Sequence, residues 1–227
     1  MRAGLLAFVA ALAVAAAFAP VGSATDECHG IPSCIRVPGP WVVVPAHGKA
    51  DYLLSCPKGR SVVGGLDAQA TSRDVRVSFD ARLGAPVQPG QTTTTYAFFR
   101  AVSVSGKKQA FQPLLGCIPT QGGGGRSTVS ARVVPVGQSL EYRSRIVVVG
   151  PGDVKFGRVS CEPTETLVGA WHAIAFRTKQ PPNLANVGLV SARHAILGKK
   201  VVVTASSTDA LSPDAHAVVQ VGAECAP

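Results

Sequence analysis

The chain has 227 residues, 46% of them hydrophobic and only 6% aromatic, enough to bury one large core or two small ones. Its 22 Lys and Arg against 13 Asp and Glu favour anionic partners such as wall polymers, lipid headgroups or acidic glycans. The basic residues are scattered, with few aromatics among them to stack on bases, which argues against nucleic acid. No apolar run outside the first residues reaches the length of a membrane span, so no transmembrane segment is expected.

Residues 1–24 have the form of a secretory signal peptide. Arg2 supplies the positive start, Leu5 to Phe18 the apolar stretch, and Gly22-Ser23-Ala24 the small residues for cleavage. Its loss leaves 21 basic and 13 acidic residues, a net charge of +8 that serves either anion binding or plain solubility. The mature protein is expected to be secreted, either extracellular or associated with the cell envelope. Residues 25–40 form an N-terminal segment holding Cys28 and Cys34. Asp26-Glu27-Cys28-His29 is the densest group of metal-ligand types, but a site there needs reduced thiols, which an oxidising compartment opposes. No metal and no cofactor is expected.

From Val42 onward the sequence repeats. Val42-Val43-Val44, Ser55-Cys56, Val63-Gly64 and Ala68 recur as Val147-Val148-Val149, Ser160-Cys161, Val168-Gly169 and Ala173, all at an offset of 105. Each copy closes on a cysteine with Pro two places later, Cys117 to Pro119 and Cys225 to Pro227. An even set of 6 cysteines in an exported chain implies disulfides, and the repeat suggests Cys56 with Cys117 and Cys161 with Cys225, leaving Cys28 with Cys34.

Strand signals dominate between the cysteines. Asp74 to Leu83 alternates, with Val75, Val77, Phe79, Ala81 and Leu83 on one face. Tyr96 to Phe99, Ala101 to Ser105, Thr128 to Val136, Leu140 to Val149, Val154 to Ser160, Val201 to Ala205 and Ala217 to Val221 are rich in strand-favouring residues. Leu189 to Leu197 is the one stretch that suits a short helix. Turn clusters at Pro86 to Gly90, Gly150 to Asp153, Gln180 to Asn183 and Ser212 to Asp214 punctuate the strands. The expected fold is all-β: two tandem, disulfide-framed antiparallel β-sandwich or barrel-like units after a signal peptide, with repeat 1 over 41–119, a Gly-rich linker over 120–127 and repeat 2 over 128–227.

Catalytic signals are sparse. His47, Asp51 and Ser55 lie close in sequence, but no nucleophile elbow supports a serine hydrolase. The repeat sets His172 opposite Asp67, as in a duplicated cleft whose ligands have diverged, and Trp41 and Trp171 are candidates for stacking on a sugar ring. The expected function is a non-catalytic protein that binds or coats an anionic surface or glycan. The alternatives are an extracellular hydrolase with a site between the units, drawing on His47, Asp67 or His172, and an effector or inhibitor that engages another protein through its Pro/Gly loops.

Overall fold

The computed structural model describes residues 35–57, 61–80, 95–119 and 140–227. The expected signal peptide, Cys28 and Cys34, the expected Gly-rich linker and the strand expected over Thr128 to Val136 lie outside these residues. Among the described residues the chain is all-β and antiparallel. Its strands are β1 (Ile35–Pro38), β2 (Trp41–Val44), β3 (Lys49–Ser55), β4 (Ser61–Ala70), β5 (Val75–Asp80), β6 (Tyr96–Ser103), β7 (Gln109–Pro119), β8 (Glu141–Val148), β9 (Val154–Ser160), β10 (Thr166–Phe176), β11 (Val190–Leu197), β12 (Lys200–Ser207) and β13 (Ala217–Ala226).

One expectation is corrected. Val190 to Leu197 is not a helix but strand β11, paired along its whole length with β12 through a hairpin whose turn has Gly198 at φ +60°. Pairing with the β-branched run Val201 to Val203 overrides the local preference of this segment. The helix lies just before it: α1 (Leu184–Gly188) starts where the Asn183 side chain accepts a hydrogen bond from the Ala185 N–H at 3.0 Å.

Seven strands form a central sheet in the order β1-β7-β2-β10-β13-β8, with β4 on the other edge of β7. The sheet is continuous across its middle because β2 pairs with β10, Val42 opposite Ala175 and Trp41 opposite Phe176. Two three-stranded sheets, β3-β6-β5 and β11-β12-β9, complete the fold. Side chains of the central sheet alternate between two cores. Val42, Val44, Phe111, Leu115, Ala173, Ala175 and Val218 pack with Tyr52, Phe99 and Ala101 of the β3-β6-β5 sheet. Val43, Val147, Val219, Val221 and Ala223 pack with Val201, Val203 and Ala205 of the other. The small sheets therefore cover opposite faces of the large one.

Strand β13 is buried on both faces, which is why its sequence is almost continuously apolar rather than alternating. The exceptions are Glu224 and Gln220, and Gln220 is 1% exposed; the Gln220 amide pairs with backbone. Its Oε1 accepts from the Leu53 N–H and its Nε2 donates to the Leu53 carbonyl, both at 2.8 Å. The amide closes the outer edge of β3 as a neighbouring strand would, satisfying two backbone groups that burial would otherwise orphan. Disulfides Cys56–Cys117 and Cys161–Cys225 join the ends of β3 and β9 to β7 and β13, spanning 61 and 64 residues. Loops of that length correspond to about 4 kcal/mol each on the chain-entropy argument.

Gln220→Leu keeps the bulk but leaves both Leu53 groups unpaired. It is expected to lower unfolding free energy by about 2–4 kcal/mol in urea titrations, two buried polar groups at about 1–2 kcal/mol each. A change under about 0.5 kcal/mol would show that the amide contributes nothing to stability.

Candidate functional site

Both tryptophans are interior. Trp41 is 6% exposed beside Phe176, and Trp171 is 5% exposed among Leu53, Phe98 and Tyr142. Neither ring offers a face to solvent, and both indole N–H groups are buried without a hydrogen-bond partner among the described residues. Trp171 covers Gly222 of β13 so closely that a Cβ there would overlap the indole, so only glycine fits. Asp67 lies on β4, where its Oδ1 accepts from the Ala68 N–H. His172 lies on β10, its Nδ1 2.6 Å from Nδ1 of His194 on β11. Strands β7 and β2 intervene between Asp67 and His172, about 14 Å of sheet, so the two do not share a site. His47 sits in the β2–β3 turn at φ 49°, and Asp51 pairs with Arg100 rather than with a histidine.

The structure brings together ionisable groups that the sequence keeps far apart. Arg100 lies 3.1 Å from Asp51 and 3.5 Å from Glu224, with its guanidinium over the Phe98 ring. Phe98 stacks on Tyr142, whose hydroxyl donates to Asp80 at 2.5 Å. Burial, reinforced by that bond to Asp80, raises the Tyr142 phenol well above its ordinary value. Burial also raises the Glu224 carboxyl; Arg100 opposes the shift, while Asp51 and Asp80 add to it. The cluster bridges β5 and β6 to β8 and β13 as a polar seam between sheets, its three carboxyl groups gathered around Arg100 and the Tyr142 hydroxyl.

A second arrangement is open. Residues from β1, β3, β4, β7 and β8 and the segment after β10 line a groove of about 750 Å³. Arg36, Arg177 and Lys179 bring positive charge to it, Gln69 and Gln112 bring amides, and Pro38, Pro40, Leu54 and Ile146 supply apolar wall. The Gln112 Nε2 donates to the Gly39 carbonyl at 2.9 Å, which fixes the amide. Tyr52 also lines the groove; burial pushes its phenol up to about 12, against the pull of Arg177, so it stays protonated and polar at neutral pH. No carboxylate is among the described residues lining it. Guanidinium forks bind carboxylate, phosphate or sulfate, and amides and phenols bind hydroxyl groups. The groove thus has the chemistry to hold an anionic, hydroxyl-rich ligand.

Among the described residues the tightest group of three metal-ligand side chains is Cys161, Glu165 and Cys225. Its thiols are spent in a disulfide and Glu165 is held by Arg143 at 2.8 Å, so nothing there is free to coordinate. The chain matches no protein-family model, no curated protein and no solved structure, so function has to be read from the site itself. Sequence reasoning missed Arg36, Gln69, Gln112, Arg177 and Lys179. Only Gln112 carried a signal, as a polar residue within the apolar run Ala110 to Leu115.

The state of Glu224 can be checked through stability. A carboxyl raised above its unfolded value binds its proton more tightly in the folded chain. Its stabilising contribution is therefore complete below about pH 4.3 and is lost as pH rises through the folded value. Wild type is expected to lose stability relative to Glu224→Gln as pH rises above about 4.3, measured by urea unfolding at each pH. Parallel profiles would show that burial does not govern this carboxyl.

Proposed function

We propose that this is an exported, non-catalytic β-protein that binds an anionic polysaccharide through the groove, built from two copies of one six-stranded unit. The observation that carries the binding reading is the convergence of Arg177, Lys179 and Arg36 on one open groove with no carboxylate among its described lining residues. A volume of about 750 Å³ suits one or two sugar rings, and the +8 charge of the mature chain would draw an anionic polymer toward it. A glycosidase would need two carboxylates flanking the bond to be cleaved, and the groove offers none among the described residues. The two disulfides suit an oxidising compartment, and among the described residues no helix is long and apolar enough to cross a membrane.

The duplicated unit is supported by matching hydrogen bonds. In the β2–β3 turn the Gly48 N–H donates to the Pro45 carbonyl, and in the β8–β9 turn Asp153 donates to Gly150. The positions with positive φ, His47 and Gly152, fall at the same offset of 105. Cys56 donates to Thr95 and Cys161 to Lys199, while Ser103 donates to Gly48 and Ser207 to Asp153. Strand order agrees as well: β4-β7-β2 corresponds to β10-β13-β8, and β3-β6-β5 to β9-β12-β11. On this reading β1 and β2 together match β8, split by Pro38-Gly39-Pro40, and Gln112 matches Gln220.

The test uses the mature protein on immobilised polygalacturonate, with neutral dextran as control. Retention is expected at low salt and should fall as salt rises, with none on dextran. Arg177 and Lys179 are exposed, so replacing both by Ala should leave thermal unfolding unchanged and weaken retention about tenfold, or about 0.7 kcal/mol per charge. Unchanged retention in the double variant would move binding away from the groove, and flow-through of wild type would remove the polysaccharide reading.

A further inference from the structure

His172 and His194 belong to different sheets. His172 projects from β10 of the central sheet, and His194 from the edge-side strand β11 of the sheet covering it. Their rings meet at 67° with centroids 4.9 Å apart and Nδ1 facing Nδ1 at 2.6 Å. Two imidazole nitrogens at that distance cannot both carry protons, so at most one proton lies between them. His172 is partly buried, and its ring lies beside the Ala192 backbone. Burial and the neighbouring His194 keep it neutral below the usual histidine range, leaving a lone pair available at neutral pH.

Two converging imidazole nitrogens, with no carboxylate bonded to them among the described residues, are a donor set for borderline divalent metals, not for Ca²⁺ or Mg²⁺. We propose that His172 and His194 form a two-nitrogen site for one Cu²⁺ or Zn²⁺ ion, bound through both Nδ1 atoms with water in the remaining positions. Bonds of about 2.0–2.1 Å at a tetrahedral angle set the nitrogens about 3.3 Å apart, so the pair opens by about 0.7 Å as the shared proton leaves. His194 is exposed and can rotate to allow this. Because the ion joins β10 to β11, it clips the covering sheet onto the central one and stabilises the fold when bound.

The experiment adds Cu²⁺ to the metal-free mature protein and records electron paramagnetic resonance spectra, then repeats thermal unfolding with Zn²⁺. Wild type is expected to bind one Cu²⁺ with nitrogen hyperfine structure from two imidazoles, and Zn²⁺ should raise its unfolding midpoint. His194→Ala replaces an exposed side chain, so it should fold as wild type does, lose the two-nitrogen signal and lose the Zn²⁺ shift. His216→Ala should retain both. A two-nitrogen signal that persists in His194→Ala would assign the metal to other histidines and overturn the proposal, as would the absence of binding at micromolar metal. The site does not touch the groove, so polysaccharide retention is independent of either outcome.

Discussion

The fold depends on a strand that has no solvent face. Strand β13 carries Val219, Val221 and Ala223 into one core, and sends Val218, Gln220, Gly222 and Glu224 toward the opposite layer. Each of the inner four meets a different demand. Val218 fills apolar space, Gln220 closes the edge of β3, Gly222 makes room for Trp171, and Glu224 answers Arg100. Shifting the register by one residue would exchange the two faces, setting valines against the Leu53 backbone and Gln220 against Val201 and Val203. Burial on both sides thus fixes register by chemistry as well as by shape.

That arrangement explains why an ionic cluster and an open groove coexist near one seam. In the cluster, Arg100 pairs with Asp51 and Glu224, and the Tyr142 hydroxyl donates to Asp80. Elsewhere, Arg36, Arg177 and Lys179 line a groove that has no acid among its described lining residues. On the proposed reading, the same seam holds the halves together at one end and presents charge at the other. The amide of Gln220 is consumed by the Leu53 backbone, whereas its proposed counterpart Gln112 fixes the Gly39 carbonyl at the groove.

Much of the strand content was legible in the sequence because period-two alternation and β-branched runs follow directly from the pleat. Val154 to Ser160 coincides with β9, and Ala217 to Val221 opens β13. The segment Leu189 to Leu197 was misread because its local composition suits either state, and pairing with β12 decides it. Phe79, on the apolar face of the alternating run in β5, is 43% exposed and packs edge-on against Phe99. The candidate site was largely illegible. Arg36 and Arg177 are separated by most of the chain, and neither stands out from the other basic residues until topology brings them to one groove. His172 attracted attention through the repeat, but its true neighbour, His194, lay in the segment assigned to the wrong element. A helix there would have sent that side chain elsewhere.

The most direct test of this architecture is hydrogen exchange at the Leu53 amide. If Gln220 closes the edge of β3 within a buried layer, this N–H should exchange only with global unfolding, at the same opening free energy as Val219 and Val221 in β13. Exchange orders of magnitude faster, typical of an unpaired edge-strand amide, would mean that the side chain does not hold the sheets together and that β13 is not the strand on which the fold is organised.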